Sequence, residues 1–352
     1  MTIPVLICDD SSFARKQMVR ALPANWDIEL HYAENGEEAL TAIREGHGDI
    51  LFLDLNMPIL DGYGTLQAIS KEDLPTMVIV VSGDIQPEAH REVKSLGAID
   101  FIKKPTDKAK VKELLENYGI LRPEDLLPIP NIDEIRKVAE EAEVDSESQP
   151  EGVTPSHMES YREVANVAMG RAGDLLARLL GVKVKMPIPN VNLLAISELH
   201  MVLKAAADQK SVSAICQGYT GSGIAGEALI LFYDSSFQDL ADLMNYKSAL
   251  DDASERELLV DLSNILIGAF LKGLSDQLNV GFSQSHPKLL GQHIKVSDLL
   301  SNRAREWENI LAIEINYVVE AHNIQCDLLL LLTEDSLQTL NNKISFLLDD
   351  DT

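Results

Sequence analysis

Ile50-Leu51-Phe52-Leu53-Asp54-Leu55-Asn56-Met57-Pro58 runs a short apolar stretch into a single carboxylate and then a turn. An uninterrupted apolar run bounded by turn residues reads as a strand covered on both faces, as in a parallel sheet. Asp54 then stands at the strand's carboxyl edge. Open α/β sheets bind their ligands at that edge, so the acid is a candidate for chemistry rather than for packing.

Working outward, Ile3-Pro4-Val5-Leu6-Ile7-Cys8-Asp9-Asp10 is a second apolar strand that ends on acids, and Ser11 and Ser12 can cap a helix starting near Phe13. A half-apolar strand is expected from Ile28 to Tyr32, a turn at Asn35-Gly36 and a helix from Glu37 to Glu45. Beyond Asp54, Asp61-Gly62-Tyr63-Gly64 turns into another helix. Thr76 to Val81 is a β-branched strand ending at Ser82-Gly83-Asp84, and Ala98 to Lys104 is a fifth strand before Pro105. Strands alternating with helices predict an α/β domain with a five-stranded doubly wound parallel sheet.

That sheet would gather Asp9, Asp10, Asp54, Ser82 and Lys104 at one edge. Three carboxylates in one small site repel one another unless a divalent cation neutralises them, and hard oxygen ligands select Mg²⁺. A nucleophilic carboxylate, a magnesium ion, a hydroxyl and an ammonium group suit phosphoryl transfer, with an aspartyl phosphate as product.

Residues 1–120 resemble the receiver domain of two-component response regulators, most of all the stand-alone CheY-like chemotaxis regulators. The resemblance implies that Asp54 is the phosphoacceptor and that Asp9, Asp10, Asp54 and the Asn56 carbonyl hold Mg²⁺. It also makes Ser82 the switch hydroxyl, Phe101 the switch aromatic and Lys104 the phosphoryl contact, with a histidine kinase as phosphodonor. Lys103 beside it is expected to be a solvated strand-end charge.

The chain carries 56 acids against 30 bases, a formal charge of −26, with no basic block, which argues against nucleic acid as a partner. Cys8, Cys216 and Cys326 lie far apart inside apolar runs and show no metal-binding spacing, so they read as buried hydrophobes. The scattered histidines give no metal pair. No basic and apolar leader is seen, and no apolar stretch is expected to reach the roughly 18 to 20 residues that span a bilayer. The expected location is cytoplasmic.

Residues 121–155 read as a connector. Pro123, Pro128 and Pro130 make a stiff exit, Ile132 to Ala142 can form a short helix, and residues 144 to 156 are polar and turn-rich. From 156 to 350 the chain repeats itself with an offset of 98: Glu159 and Glu257, Glu163 and Asp261, Asn166 and Asn264, Gly170 and Gly268, Pro189 and Pro287. Two pseudo-symmetric α+β units are predicted. On a helix, Glu159, Glu163, Asn166 and Gly170 fall on one stripe, leaving other faces to pack while the polar stripe stays presented. A glycine inside a helix costs about 1 kcal/mol against alanine, so Gly170 and Gly268 predict a close approach to the helix backbone.

These residues resemble the CheC-type chemotaxis phosphatases, a family that includes the CheX and FliY proteins. Its motif is an acid or serine, three residues, Glu, two residues, Asn and a later proline. Glu159, Glu163, Asn166 and Pro189 meet it, and Glu257, Asp261, Asn264 and Pro287 repeat it with Asp in place of the Glu. The resemblance implies a catalytic set of Glu163, Asn166, Asp261 and Asn264. Asn166 would orient a water at a phosphoaspartate while Glu163 pairs with the lysine of the partner receiver.

The function implied is a signalling protein whose output domain hydrolyses the aspartyl phosphate of a CheY-like response regulator, controlled by phosphorylation of its own Asp54. The alternatives are a non-catalytic, phosphorylation-gated binding module and an autophosphatase acting on its own receiver. A CheD-like protein is a further partner by family analogy. Gly221-Ser222-Gly223-Ile224-Ala225-Gly226 matches a dinucleotide-binding pattern literally, but a strand is expected after it, which makes it a hairpin turn. The run Leu328 to Leu332 is expected to be a buried strand.

Overall fold

The computed structural model describes residues 2–121, 155–195, 211–244, 251–295, 309–319 and 322–349. The expected connector helix over 132–142 lies outside them. So does most of the polar stretch 144–156, whose last two residues already belong to a helix.

The first unit alternates β1 (Ile3–Cys8), α1 (Ser12–Ala21), β2 (Ile28–Ala33), α2 (Gly36–Arg44), β3 (Ile50–Leu53), α3 (Gly62–Glu72), β4 (Met77–Ser82), α4 (Pro87–Ser95), β5 (Asp100–Lys103) and α5 (Lys108–Asn117). The strands form an all-parallel sheet in the order β2-β1-β3-β4-β5, with helices against both faces. This is the receiver fold. All four residues of β3 are buried, as a strand covered on both sides must be. Local chemistry sets the helix starts: Ser11 accepts from the Ala14 N–H, Asn35 from the Glu38 N–H and Asp61 from the Gly64 N–H.

The second unit is α+β. Helix α6 (Pro155–Leu180) leads to β6 (Asn190–Ala195), β7 (Ser211–Gly221), β8 (Ile224–Tyr233) and α7 (Phe237–Leu243). Helix α8 (Asp252–Leu278) then repeats the pattern with β9 (Ser283–Gln284), β10 (Lys288–Lys295), β11 (Asn309–Val319), β12 (Ile324–Thr333) and α9 (Glu334–Asp349). The antiparallel sheet runs β10-β7-β8-β12-β11-β6, with β9 attached to β7. Exchanging the two repeats turns that order into its reverse, so a pseudo-twofold axis passes between β8 and β12. Each repeat also lends its first long strand to the other: β6 pairs β11, and β10 pairs β7.

Helices α6 and α8 pack on each other and on the sheet in one core that includes Ala165, Met169, Leu262, Phe270, Ile230 and Leu328. Their contact is close, because a Cβ on Gly273 would lie 2.6 Å from the Ala168 Cα. The expectation that no apolar stretch reaches spanning length needs correcting at α8. It is long and apolar enough to cross a membrane, but 56% of the window is buried inside the protein, where its apolar residues fill the core. The glycine-rich stretch is the β7–β8 hairpin, with Ser222 at φ 49° and Gly223 at φ 84°, and Leu328 to Leu332 lie in the buried strand β12. All three cysteines are buried thiols.

Candidate functional site

Strand β1 delivers Asp9 and Asp10, β3 delivers Asp54, β4 ends at Ser82, and β5 is followed by Lys104. The sheet thus brings the predicted receiver residues to one edge. Asp9, Asp10 and Asp54 can each place a carboxylate oxygen within 4.8 Å of the others. Asp54 is 1% exposed and Lys104 4%. The Lys104 ammonium donates to Asp9 Oδ2 at 2.7 Å and lies 3.3 Å from Asp54 Oδ1. Asp9 Oδ1 accepts from the Ser11 N–H at 2.9 Å, and Asp54 Oδ2 accepts from the Asn56 N–H at 3.1 Å. Ser82 is fully buried, and Lys103 points outward, exposed, as strand alternation requires. Phe101 is half-buried, with its ring 3.7 Å from the His90 ring.

Burial pushes the Asp54 carboxyl up to about 6, against the pull of Lys104. Asp10 rises to about 7 through burial and through the neighbouring Asp9 and Asp54 charges. For Lys104, burial opposes the charge, but Asp54, Asp9 and Glu163 outweigh it and hold the ammonium well above its ordinary range. The carboxylate cluster suits a small divalent cation: its oxygens are close, hard and crowded with negative charge, and Asp54 Oδ1 is buried without a hydrogen-bond partner.

The second half reaches into this site. Glu163, on α6, is 4% exposed, and its Oε1 lies 3.1 Å from Lys104 Nζ. Burial pushes its carboxyl up to about 8, while Lys104 pulls it down. One helical turn on, Asn166 is 6% exposed, and its backbone carbonyl packs against Gly83, where a Cβ would come within 3.2 Å. The Asn166 Oδ1 is buried with no hydrogen-bond partner, as is the Nδ2 of Asn56. Gly170 meets the receiver most closely, because a Cβ there would lie 1.9 Å from the Gly83 carbonyl oxygen.

The close approach predicted for this glycine is therefore real, and what approaches is the chain's own receiver. The polar stripe is not left presented to solvent, and the lysine that Glu163 meets belongs to the same chain.

Further contacts complete the seam. Glu159 accepts from the Ser12 N–H at 2.6 Å and from the Ser12 hydroxyl. The Gln86 side chain donates to the Val184 carbonyl at 2.8 Å and accepts from the Val184 N–H at 2.9 Å. Lys183 pairs with Glu92 and sits 4.6 Å from the Tyr63 ring centre. Phe13 of α1 joins the core of the second unit. Sequence reasoning missed Ser12, Phe13, Gln86, Lys183 and Val184. None carries a motif, and only the repeat stripe hinted that a partner was close.

The second repeat differs. Glu257, Asp261 and Asn264 are exposed, and a Cβ on Gly268 would have only the Gln284 side chain near it, at 3.9 Å. Among the described residues, nothing of the receiver covers this stripe.

Residues 5–116 match the response regulator receiver domain. A protein-glutamate methylesterase/protein-glutamine glutaminase of Bacillus licheniformis is 40% identical over 121 residues, covering 32% of this chain and 34% of its own length. The chain thus spans about a third of that curated relative, in the receiver portion. Among solved structures, Thermotoga maritima FliY aligns over 55% of this chain and 97% of its own, with TM-score 0.43 and 17% identity. The CheX-CheY-BeF3-Mg complex from Borrelia burgdorferi aligns over 33% of this chain and 89% of its own, with TM-score 0.31 and 32% identity. At these scores neither structure carries a functional argument.

Proposed function

We propose that this chain is a chemotaxis-type response regulator carrying its own phosphatase. Asp54 takes a phosphoryl group from a histidine kinase, and a CheC-type unit hydrolyses the resulting aspartyl phosphate through Glu163 and Asn166. In this reading residues 1–120 are the receiver, 121–155 the connector and 156–350 the phosphatase. The observation that carries it is the ion pair between Glu163 and Lys104, which sets the first repeat's stripe on the chain's own phosphoacceptor site. The substrate of the first repeat is therefore its own receiver rather than a separate one.

An aspartyl phosphate is an activated mixed anhydride, so the enzyme has mainly to place one water in line with phosphorus. The unpartnered Asn166 Oδ1 accepts a hydrogen bond from that water. As the water oxygen bonds to phosphorus, the bond from phosphorus to the Asp54 oxygen breaks, and its electron pair returns to the carboxylate. The products are free Asp54 and inorganic phosphate. Lys104, and the Asn56 amide with its unpartnered Nδ2, hold phosphoryl oxygens, while Glu163 holds Lys104. Mg²⁺ bound by Asp9, Asp10, Asp54 and the Asn56 carbonyl would supply charge neutralisation at the phosphoryl oxygens. A cleft of about 740 Å³ lies at the seam beside Leu55 and Asn56, lined by Asp84 and Lys183 among others. Positioning of this kind is worth about 100- to 1000-fold, or about 3 to 4 kcal/mol. A gated module that only binds would use the Glu163 contact but leaves the bare Asn166 acceptor without a role.

The test is the decay of phosphorylated full-length protein. Native protein should lose its phosphoryl group about 100-fold faster than Asn166→Ala, at a rate independent of protein concentration. Equal rates for the two would sink the reading. The uncovered stripe of the second repeat favours a further substrate there, a separate CheY-like receiver, whose dephosphorylation should depend on Asn264 and not on Asn166.

A further inference from the structure

Gln86 lies outside every motif, yet it makes a paired contact across the seam. It is fully buried and is the N-cap residue of α4, but its side chain gives that helix no capping hydrogen bond, and its own N–H donates to Asp84 Oδ1. Both ends of its side-chain amide are spent on one residue of the other unit: Nε2 donates to the Val184 carbonyl, and Oε1 accepts from the Val184 N–H. The pair reproduces the hydrogen bonding of one rung of a sheet. Val184 is itself fully buried and follows the turn at Gly181, where φ is 69°, that ends α6. Only a side chain with a donor and an acceptor at this reach satisfies both backbone groups. A mismatched side chain leaves buried polar groups unpaired, which is the strongest lever binding has on specificity. The neighbouring Lys183–Glu92 pair is partly exposed and adds little discrimination.

We infer that Gln86 is the residue by which the phosphatase unit selects its own receiver, acting at a distance from the chemistry as a positioning and specificity determinant. The inference rests on the cis reading proposed above. It makes the first site self-occupied because Gln86 holds the receiver over it, and it makes that site available to another receiver when the contact is lost.

The test uses two full-length chains. A catalyst chain carries Asp54→Ala, so that it cannot be phosphorylated, and Asn264→Ala, so that hydrolysis reports its first site alone. A substrate chain carries Asn166→Ala and Asn264→Ala, together with Gly170→Ala to keep its receiver off its own first site; it is phosphorylated on Asp54 with a small acyl phosphate and freed of excess donor. Hydrolysis of the substrate chain is followed with and without catalyst. Adding Gln86→Ala to the catalyst should raise hydrolysis about tenfold, since its own receiver releases the site. Adding Gln86→Ala to the substrate should lower it by a similar factor.

A change of opposite sign in the two arms is what a residue needed only for folding cannot produce. A fall in both arms, no change in either, or no hydrolysis by the Gln86→Ala catalyst overturns the inference, provided native cis decay still depends on Asn166. If native cis decay does not depend on Asn166, the phosphatase reading itself has failed.

Discussion

Glu163 Oε1 lies 3.1 Å from Lys104 Nζ, with both side chains 4% exposed, so the ion pair that joins the two units is also among the most buried in the described residues. A buried charge that loses one partner is costly, but Lys104 keeps Asp9 and Asp54, so the loss here is of docking rather than of fold. Glu163→Gln keeps the shape and removes the charge. The expected result is a phosphorylated Asp54 that lives about 10- to 100-fold longer, equivalent to about 1.4 to 2.7 kcal/mol. Combined with Asn166→Ala, the effect should be less than additive, because the two residues act on one bound receiver. Decay rates of the four full-length proteins check this, and full additivity would contradict it.

Gly170 separates docking from chemistry without touching a polar group. Any side chain there meets the Gly83 carbonyl oxygen, a backbone atom that cannot turn aside. Gly170→Ala should therefore push the receiver off, lengthen the life of the aspartyl phosphate and speed loading by a small phosphodonor, since Asp54 is sealed when docked. Gly268→Ala meets almost nothing and should instead gain up to about 1 kcal/mol of helix stability with unchanged loading. Measuring phosphorylation and decay rates for both variants, together with their thermal midpoints, decides it. Identical loading of native and Gly170→Ala protein would show that docking does not seal the site.

The contrast between these glycines also shows what could be read in advance. Strand β3 was legible because a buried parallel strand has to be apolar throughout, and Asp54 because it broke that run at the edge where ligands bind. The stripe from Glu159 to Gly170 was legible because it occurs twice. Its partner was not. Helical spacing says which residues share a face but not what covers it, and the same stripe is buried in one repeat and bare in the other. Gln86, Ser12 and Phe13 were invisible for a related reason. A side chain that meets another unit's backbone needs no matching pattern in its partner, since every residue offers the same N–H and C=O. Helix α8 was underread because its acids, Glu255, Glu257 and Asp261, cluster toward its first half and obscure the apolar stretch after them.

His293 gives the second repeat a pH dependence of its own. It sits at φ 55° in the irregular pairing between Gly291 and Ile294, with Nδ1 3.1 Å from Asp234 and Nε2 3.0 Å from Glu255. Its ring meets Phe237 edge-on. Partial burial lowers its pKa, but the Asp234 hydrogen bond and the Asp234, Glu255 and Asp252 charges more than reverse that, so the folded value lies above the ordinary one. For a histidine raised in this way, the stabilisation is present in full below the unfolded value of about 6.5 and is lost as pH rises through the folded value. The side chain is 43% exposed, so solvent screening keeps the contribution below about 1 kcal/mol. Thermal midpoints of native and His293→Gln protein, compared from pH 6 to pH 9, should show the native advantage shrinking as pH rises. A constant or growing difference would mean that the histidine does not carry its charge between the two carboxylates.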